Sequence, residues 1–211
     1  MEPSRKIIML IYGRAFSFFL SLLIPFFLTR ILVKEDYGSY QQLIMIYTIV
    51  QAILIFGMPQ SLLYYFPRKE THEHPLLIKQ TWTILLFSSL MVMAIFWLSS
   101  QIIGTHHLKE YLVLLGIYTS LMIFVMPIQN LLTLEGKIST AMWLMVFFTI
   151  IDLAVLPTAA WLNPTTLGII HGIIIAAALK AIMVLFHVYS TYFTREISGN
   201  SYIKDQLIKS K

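Results

Sequence analysis

Five ionisable side chains stand inside long apolar runs of this 211-residue chain: Arg14, Asp152, His171, Lys180 and His187. An ionisable group at hydrocarbon depth is costly, so each is first a functional hypothesis. Opposite charges can neutralise one another there, and two cations at one level can hold an anion. A deep carboxylate can carry a cation, and Asp152 is the only one available. The plain alternative for the two long cations is that their stems reach the headgroups. Both readings stay open for Arg14 and Lys180. For Asp152, which cannot reach far, a structural pair and a cavity role stay open. His187, near the end of its run, reads as interfacial.

The elements that would position these groups are six apolar stretches, at 7–29, 39–63, 80–103, 111–133, 139–162 and 167–190. A helix of about 20 residues crosses a hydrocarbon core of about 30 Å. In that medium the backbone must satisfy its own hydrogen bonds, so each stretch is expected to be a helix. The chain is 58% hydrophobic and 12% charged, against about a quarter charged in soluble domains. The fold class expected is therefore all-α, a polytopic membrane protein with six transmembrane helices in up-down order. Residues 1–191 form one six-helix lobe, and 192–211 a cytoplasmic amphipathic tail. Pro67–Lys79 and Tyr192–Lys211 are the largest polar segments, too short to fold alone. The first stretch is too long for a signal-peptide core and no cleavage-like site follows it, so it is expected to stay as a helix.

The net charge of +5 lies in membrane-flanking loops rather than in a nucleic-acid patch. With the N-terminus placed inside, the inner side holds Arg5, Lys6, Arg68, Lys69, Lys79, Lys137, Arg195, Lys204, Lys209 and Lys211. The outer side holds Arg30, Lys34 and Lys109. Ten against three places both termini in the cytoplasm, by the excess of basic residues in cytoplasmic loops. Tyr37, Tyr40 and Trp161 suit the outer aromatic belt.

Depth then follows from the helix rise. Arg14 lies about 10 Å in from the inner end of its stretch, and Lys180 about 15 Å. Asp152 lies about 10 Å below the outer face and His171 about 6 Å. Asp152 and Lys180 are the one oppositely charged pair on adjacent helices, but the lysine stem must reach outward to close it. By level alone two clusters are expected, Asp152 with His171 and Arg14 with Lys180, the second suited to an anion such as a lipid-linked phosphate. Pro25, Pro59, Pro127 and Pro157 mark expected kinks. Gly57-Met58-Pro59 is expected to break the second helix near its inner end, with the aromatic segment after it near the interface.

No catalytic set emerges. His72-Glu73-His74 lacks the helical i, i+4 spacing of zinc proteases. No cysteine is present, which excludes disulfides, thiolate zinc sites and cysteine nucleophiles. The chain is expected not to be an enzyme, and to need no cofactor and no metal.

The segment Thr29-Arg30-Ile31-Leu32-Val33-Lys34-Glu35-Asp36-Tyr37-Gly38-Ser39-Tyr40 is the most specific motif. Asp36 is expected to cap the second helix there, with Glu35 favoured by the helix dipole. The segment resembles the first outer loop of polysaccharide transporters of the multidrug/oligosaccharidyl-lipid/polysaccharide exporter superfamily. Gly57-Met58-Pro59 with Tyr64-Tyr65-Phe66-Pro67-Arg68 is similar to the same family's end of helix 2. Leu134-Glu135-Gly136-Lys137 resembles its short basic turn before helix 5, and Tyr202–Lys209 its amphipathic approach to a seventh helix.

That resemblance implies one lobe of a flippase-like (MATE-like) fold, the N-terminal half of a two-lobed transporter. The expected function is flipping lipid-linked oligosaccharide (polyprenyl pyrophosphate) units across the inner, plasma membrane. Arg14, Arg30, Asp152, His171 and Lys180 are then substrate-path candidates, and a second six-helix lobe is needed in cis or in trans. The chain is expected to be either a fragment of a longer transporter or a short product that pairs with that lobe. A drug or small-solute exporter of the same superfamily, and a non-transporting remnant or assembly subunit, are the alternatives.

Overall fold

The computed structural model describes residues 3–54, 58–68, 74–102 and 106–193. These residues are helical, with no strand among them. The elements are α1 (Pro3–Ile31), α2 (Lys34–Leu54), α3 (Met58–Tyr65), α4 (His74–Ile102), α5 (His106–Val125), α6 (Pro127–Leu134), α7 (Ile138–Leu162) and α8 (Thr166–Val188). A 3₁₀ turn, Phe66–Arg68, follows α3, and a π turn, Tyr189–Phe193, extends α8.

Among the described residues, five segments are long and apolar enough to cross a membrane: Ile8–Ile31, His74–Ile102, Tyr111–Leu134, Ile138–Leu162 and Thr166–Tyr192. The expected count of six is thus met by five. The difference falls on stretch 39–63, read from sequence as one span. Its helix α2 carries Lys34, Glu35, Asp36, Gln41, Gln42 and Gln51, which hold its apolar window down. The following apolar residues belong to a separate short helix, α3. The break expected at Gly57-Met58-Pro59 falls there: α2 ends at Leu54 and Met58 opens α3, while Gly57 lies outside the described residues. So do the His72-Glu73 pair and the Tyr202–Lys209 tail.

The prolines differ in effect. Pro127 opens α6 and interrupts the helical bonding there, while the preceding Met126 keeps αR geometry and donates its N–H to Met122 O at 3.2 Å. The stretch 111–133 is therefore two helices in series. Pro25 and Pro157 lie inside α1 and α7, which continue through them.

Neighbouring helices run in the order α1, α7, α8, α5, α4, with α2 laid on α8 and α5. Small residues set the close approaches. A Cβ on Gly172 of α8 would stand 2.7 Å from the Ala159 Cβ on α7. Between α5 and α4, the Ser120 hydroxyl donates to the Ser89 carbonyl at 3.0 Å. The α6–α7 joint ends in a full Schellman turn. Gly136 takes φ +72°, its N–H donates to Thr133 O at 3.0 Å, and Lys137 N–H donates to Leu132 O at 2.9 Å.

Three apolar clusters hold the bundle. One joins α3, α4, α6, α7 and α8 through Leu62, Trp82, Leu131, Phe148 and Val184. A second joins α2, α4, α5 and α8 through Tyr47, Leu85, Leu115 and Ile170. A third holds α1 to α7 and α8 through Leu28, Leu156 and Ile173. These contacts bring the α1–α2 and α7–α8 joints to one end of the bundle, and the α6–α7 joint with α3 to the other.

Candidate functional site: a buried ion pair beside a tyrosine-lined cavity

Asp152 on α7 and Lys180 on α8 meet at the centre of the bundle, Nζ to Oδ1, at 2.5 Å. Along their helices Asp152 lies about 15 Å from the α7–α8 joint and Lys180 about 21 Å. The extended lysine stem spans that difference of about 6 Å. The Lys180 side chain is 7% exposed and that of Asp152 32%. Phe148, one turn before Asp152, places its ring centroid 5.9 Å from Nζ.

The open side of Asp152 gives onto a cavity of about 250 Å³. Five helices wall it: Ser21 and Pro25 from α1, Tyr40 and Ile44 from α2, Tyr118 from α5, Leu156 from α7 and Ile173 from α8. Tyr47 on α2 packs against Tyr118 with ring centroids 4.6 Å apart and ring planes tilted by 56°. One turn further along α2, Gln51 is buried and its Nε2 lies 2.7 Å from the Met126 sulfur. The cavity therefore combines a carboxylate, two phenols and an apolar wall, with the cation sealed beneath. Closed, the pair is neutral. A cation entering would compete with Lys180 for Asp152, and an anion would compete with Asp152 for Lys180.

The two clusters expected from level alone do not form. His171 is exposed and its Nδ1 lies 2.9 Å from Leu167 O. Arg14 is exposed on α1, away from the buried Lys180. Pairing wins over level because burying either charge alone costs several kcal/mol, which a flexible lysine stem avoids. Arg30, at the end of α1, lies exposed with its guanidinium 4.0 Å from the centroid of the Phe26 ring. Of the five candidates the structure thus joins two.

Asp36 also departs from expectation. It lies inside the first turn of α2, and its Oδ1 accepts from Thr166 N–H at 2.9 Å and from the Thr166 hydroxyl. It ties α2 to the first N–H of α8, whose own cap is Thr165, accepting from Gly168 N–H at 3.3 Å. At the opposite end the Tyr192 hydroxyl donates to Glu135, which also pairs with Lys137 at 2.7 Å. His74 stacks on Phe66 with centroids 3.9 Å apart. No cluster of three or more metal-ligating side chains occurs among the described residues.

Sequence reasoning missed Tyr118, Tyr47 and Gln51 as neighbours of the ion pair. Their only signal was a hydroxyl or amide inside an otherwise apolar run. Nothing local marked Asp36 for a partner 130 residues away.

A family model described as "Polysaccharide biosynthesis protein" matches residues 27–199. The match takes in Arg30, Asp152, His171 and Lys180, and begins after Arg14. No curated protein and no solved structure matches the chain.

Proposed function

Because the chain belongs to the polysaccharide biosynthesis protein family, we propose that it is one lobe of a flippase-like (MATE-like) transporter. The lobe moves lipid-linked oligosaccharide from the cytoplasmic to the outer leaflet of the plasma membrane, with a second six-helix lobe supplied in cis or in trans. It is a carrier and does no bond chemistry of its own. The observation that carries this reading is the buried Asp152–Lys180 pair beside a cavity, inside a multi-pass bundle of that family.

In this reading α2 is the sixth span. Its 21 residues rise about 31 Å, the depth of a hydrocarbon core. Its Gln51 and Tyr47 are turned into the bundle, which keeps them from lipid. The basic excess puts both termini in the cytoplasm, so the α1–α2 joint faces outward. Arg14 and Arg30 stand on exposed parts of α1, where they meet the anionic groups of the cargo. The Asp152–Lys180 pair opens and closes as cargo or a coupling cation exchanges with it.

A charge swap tests the site. Asp152→Lys with Lys180→Asp keeps an ion pair but moves the carboxylate to α8. The swapped protein should accumulate at normal levels while surface-polysaccharide export is lost. Normal export would show that the pair is only structural. The absence of native cysteine makes the orientation simple to map. An impermeant maleimide should label Val33→Cys in intact cells, and Lys137→Cys only after permeabilisation. The reverse pattern would overturn the orientation.

A further inference from the structure

Two grooves flank the last turns of α8, at the end of the bundle where the α6–α7 joint lies. One, of about 570 Å³, runs between α4 and α8 and is walled by Trp82, Leu86, Phe124 and Ile182. The other, of about 260 Å³, lies between α6, α7 and α8, and continues along α7 into a third hollow through Thr140, Leu144 and Met183. Phe186 borders both of the first two, and is 73% exposed. It forms a ridge with a carbon-lined trough on either side.

The larger groove is the size of a small-ligand site, yet its lining carries almost no polar surface. It cannot hold water or a polar solute well, and it opens toward hydrocarbon. Its depth is bounded: Trp82 lies about 12 Å along α4 from His74, and Tyr189 closes the same end. The troughs thus belong to one leaflet. Polar groups gather only toward the end of that leaflet. His187 and Ser190 border the smaller groove.

Each trough also has a lysine one helical turn closer to the surface. Lys79 precedes Trp82 and Thr83 by three and four residues on α4, a spacing that shares a helix face, while Lys137 is the N-cap of α7, three residues before Thr140, and is paired with Glu135 at 2.7 Å. Lys137 is close enough to act electrostatically on His187. Within the walls, the Trp82 Nε1 and the His187 Nε2 are buried with no hydrogen-bond partner among the described residues. An unpaired buried donor is a cost that a ligand oxygen can relieve.

We propose that these two grooves hold one anionic two-chain phospholipid, astride Phe186, with an acyl chain in each groove and its phosphate at the Lys79 and Lys137 end. Two hydrophobic troughs on either side of one ridge fit paired chains, and two lysines against the one carboxylate of Glu135 favour a negative headgroup, which competes with Glu135 for Lys137, over a zwitterionic one. The site rests on the membrane reading of the chain but not on what the protein transports.

The test uses the full chain with Trp82 as its only tryptophan, after Trp97→Phe, Trp143→Phe and Trp161→Phe; all three removed residues are exposed. The protein is reconstituted in vesicles containing chain-brominated phosphatidylglycerol or chain-brominated phosphatidylcholine. Trp82 is 5% exposed, so bromine quenches it strongly only from inside the groove. Phosphatidylglycerol should reach half-maximal quenching at a mole fraction at least about fivefold lower than phosphatidylcholine. Lys137→Gln should narrow that gap by about fivefold, with the elution profile of the protein unchanged. Equal quenching by both lipids would overturn the proposal, leaving ordinary boundary lipid. Loss of quenching on adding a polyprenyl phosphate would overturn it too, assigning the groove to a cargo tail. Export assays are not involved, so failure here leaves the transport reading standing.

Discussion

Helices α1 and α8 are similar in sequence and opposite in circumstance. Each is an apolar span with one cation at hydrocarbon depth, Arg14 in α1 and Lys180 in α8. Half of the α8 span is buried inside the bundle, against 6% of the α1 span. Lys180 is sealed and paired, whereas Arg14 stands exposed on α1, whose main neighbour is α7. The same residue class therefore does two jobs. Buried among helices, a cation must bring a carboxylate with it; on an edge helix, it is left to whatever lies outside.

The sharpest way to break this comparison is to remove the Lys180 charge. Lys180→Ala leaves Asp152, 32% exposed and open to its cavity, without its partner and should cost about 3 kcal/mol, the low end for a buried pair, read as a fall in the thermal midpoint of the detergent-solubilised protein. Asp152→Leu with Lys180→Met should recover most of that loss while leaving export dead. A double variant no more stable than Lys180→Ala would mean the pair is not what destabilises the single one. Next in size is Gly172→Val, which forces side-chain carbon against Ala159 and should cost about 1–3 kcal/mol. The same substitution at Gly38, where no atom lies within 4 Å of the added Cβ, should cost no more than the helix propensity changes.

Asp36→Ala removes the bonds from Thr166 at the start of α8, leaving Thr165 as its cap, and should cost about 1 kcal/mol. Faster amide exchange confined to Thr166–Ile169 would identify the cause, and unchanged exchange there would dismiss it. The smallest stability effect belongs to Arg14→Gln, within about 0.5 kcal/mol as for other exposed positions, although export should fall. If it destabilises the protein as much as Lys180→Ala, the contrast between the two helices is false.

Most of the architecture was legible because apolar length leaves few options. The spans around 80–103, 139–162 and 167–190 appear close to where composition puts them. The stretch 39–63 was drawn as one unit where the structure has two helices: summing apolar residues hides the glutamines and the acidic start of α2, and treats α3 as its continuation. Depth along the helix was legible from rise per residue, but azimuth was not. Both α1 and α8 are apolar all round, so no stripe told which face would be covered, and Arg14 looked equivalent to Lys180. The lysine stem also made level a weak guide to pairing. Tyr47 against Tyr118, and Tyr192 on Glu135, depend on how separate helices settle together, which no local pattern encodes.

The bond between Asp36 and Thr166 also has a schedule. Its two partners are 130 residues apart, and chains grow at about 5–20 residues per second. Asp36 therefore emerges roughly 6–26 s before its partner exists. Only α8 supplies Thr166, so synthesis halted before α8 leaves Asp36 without this partner.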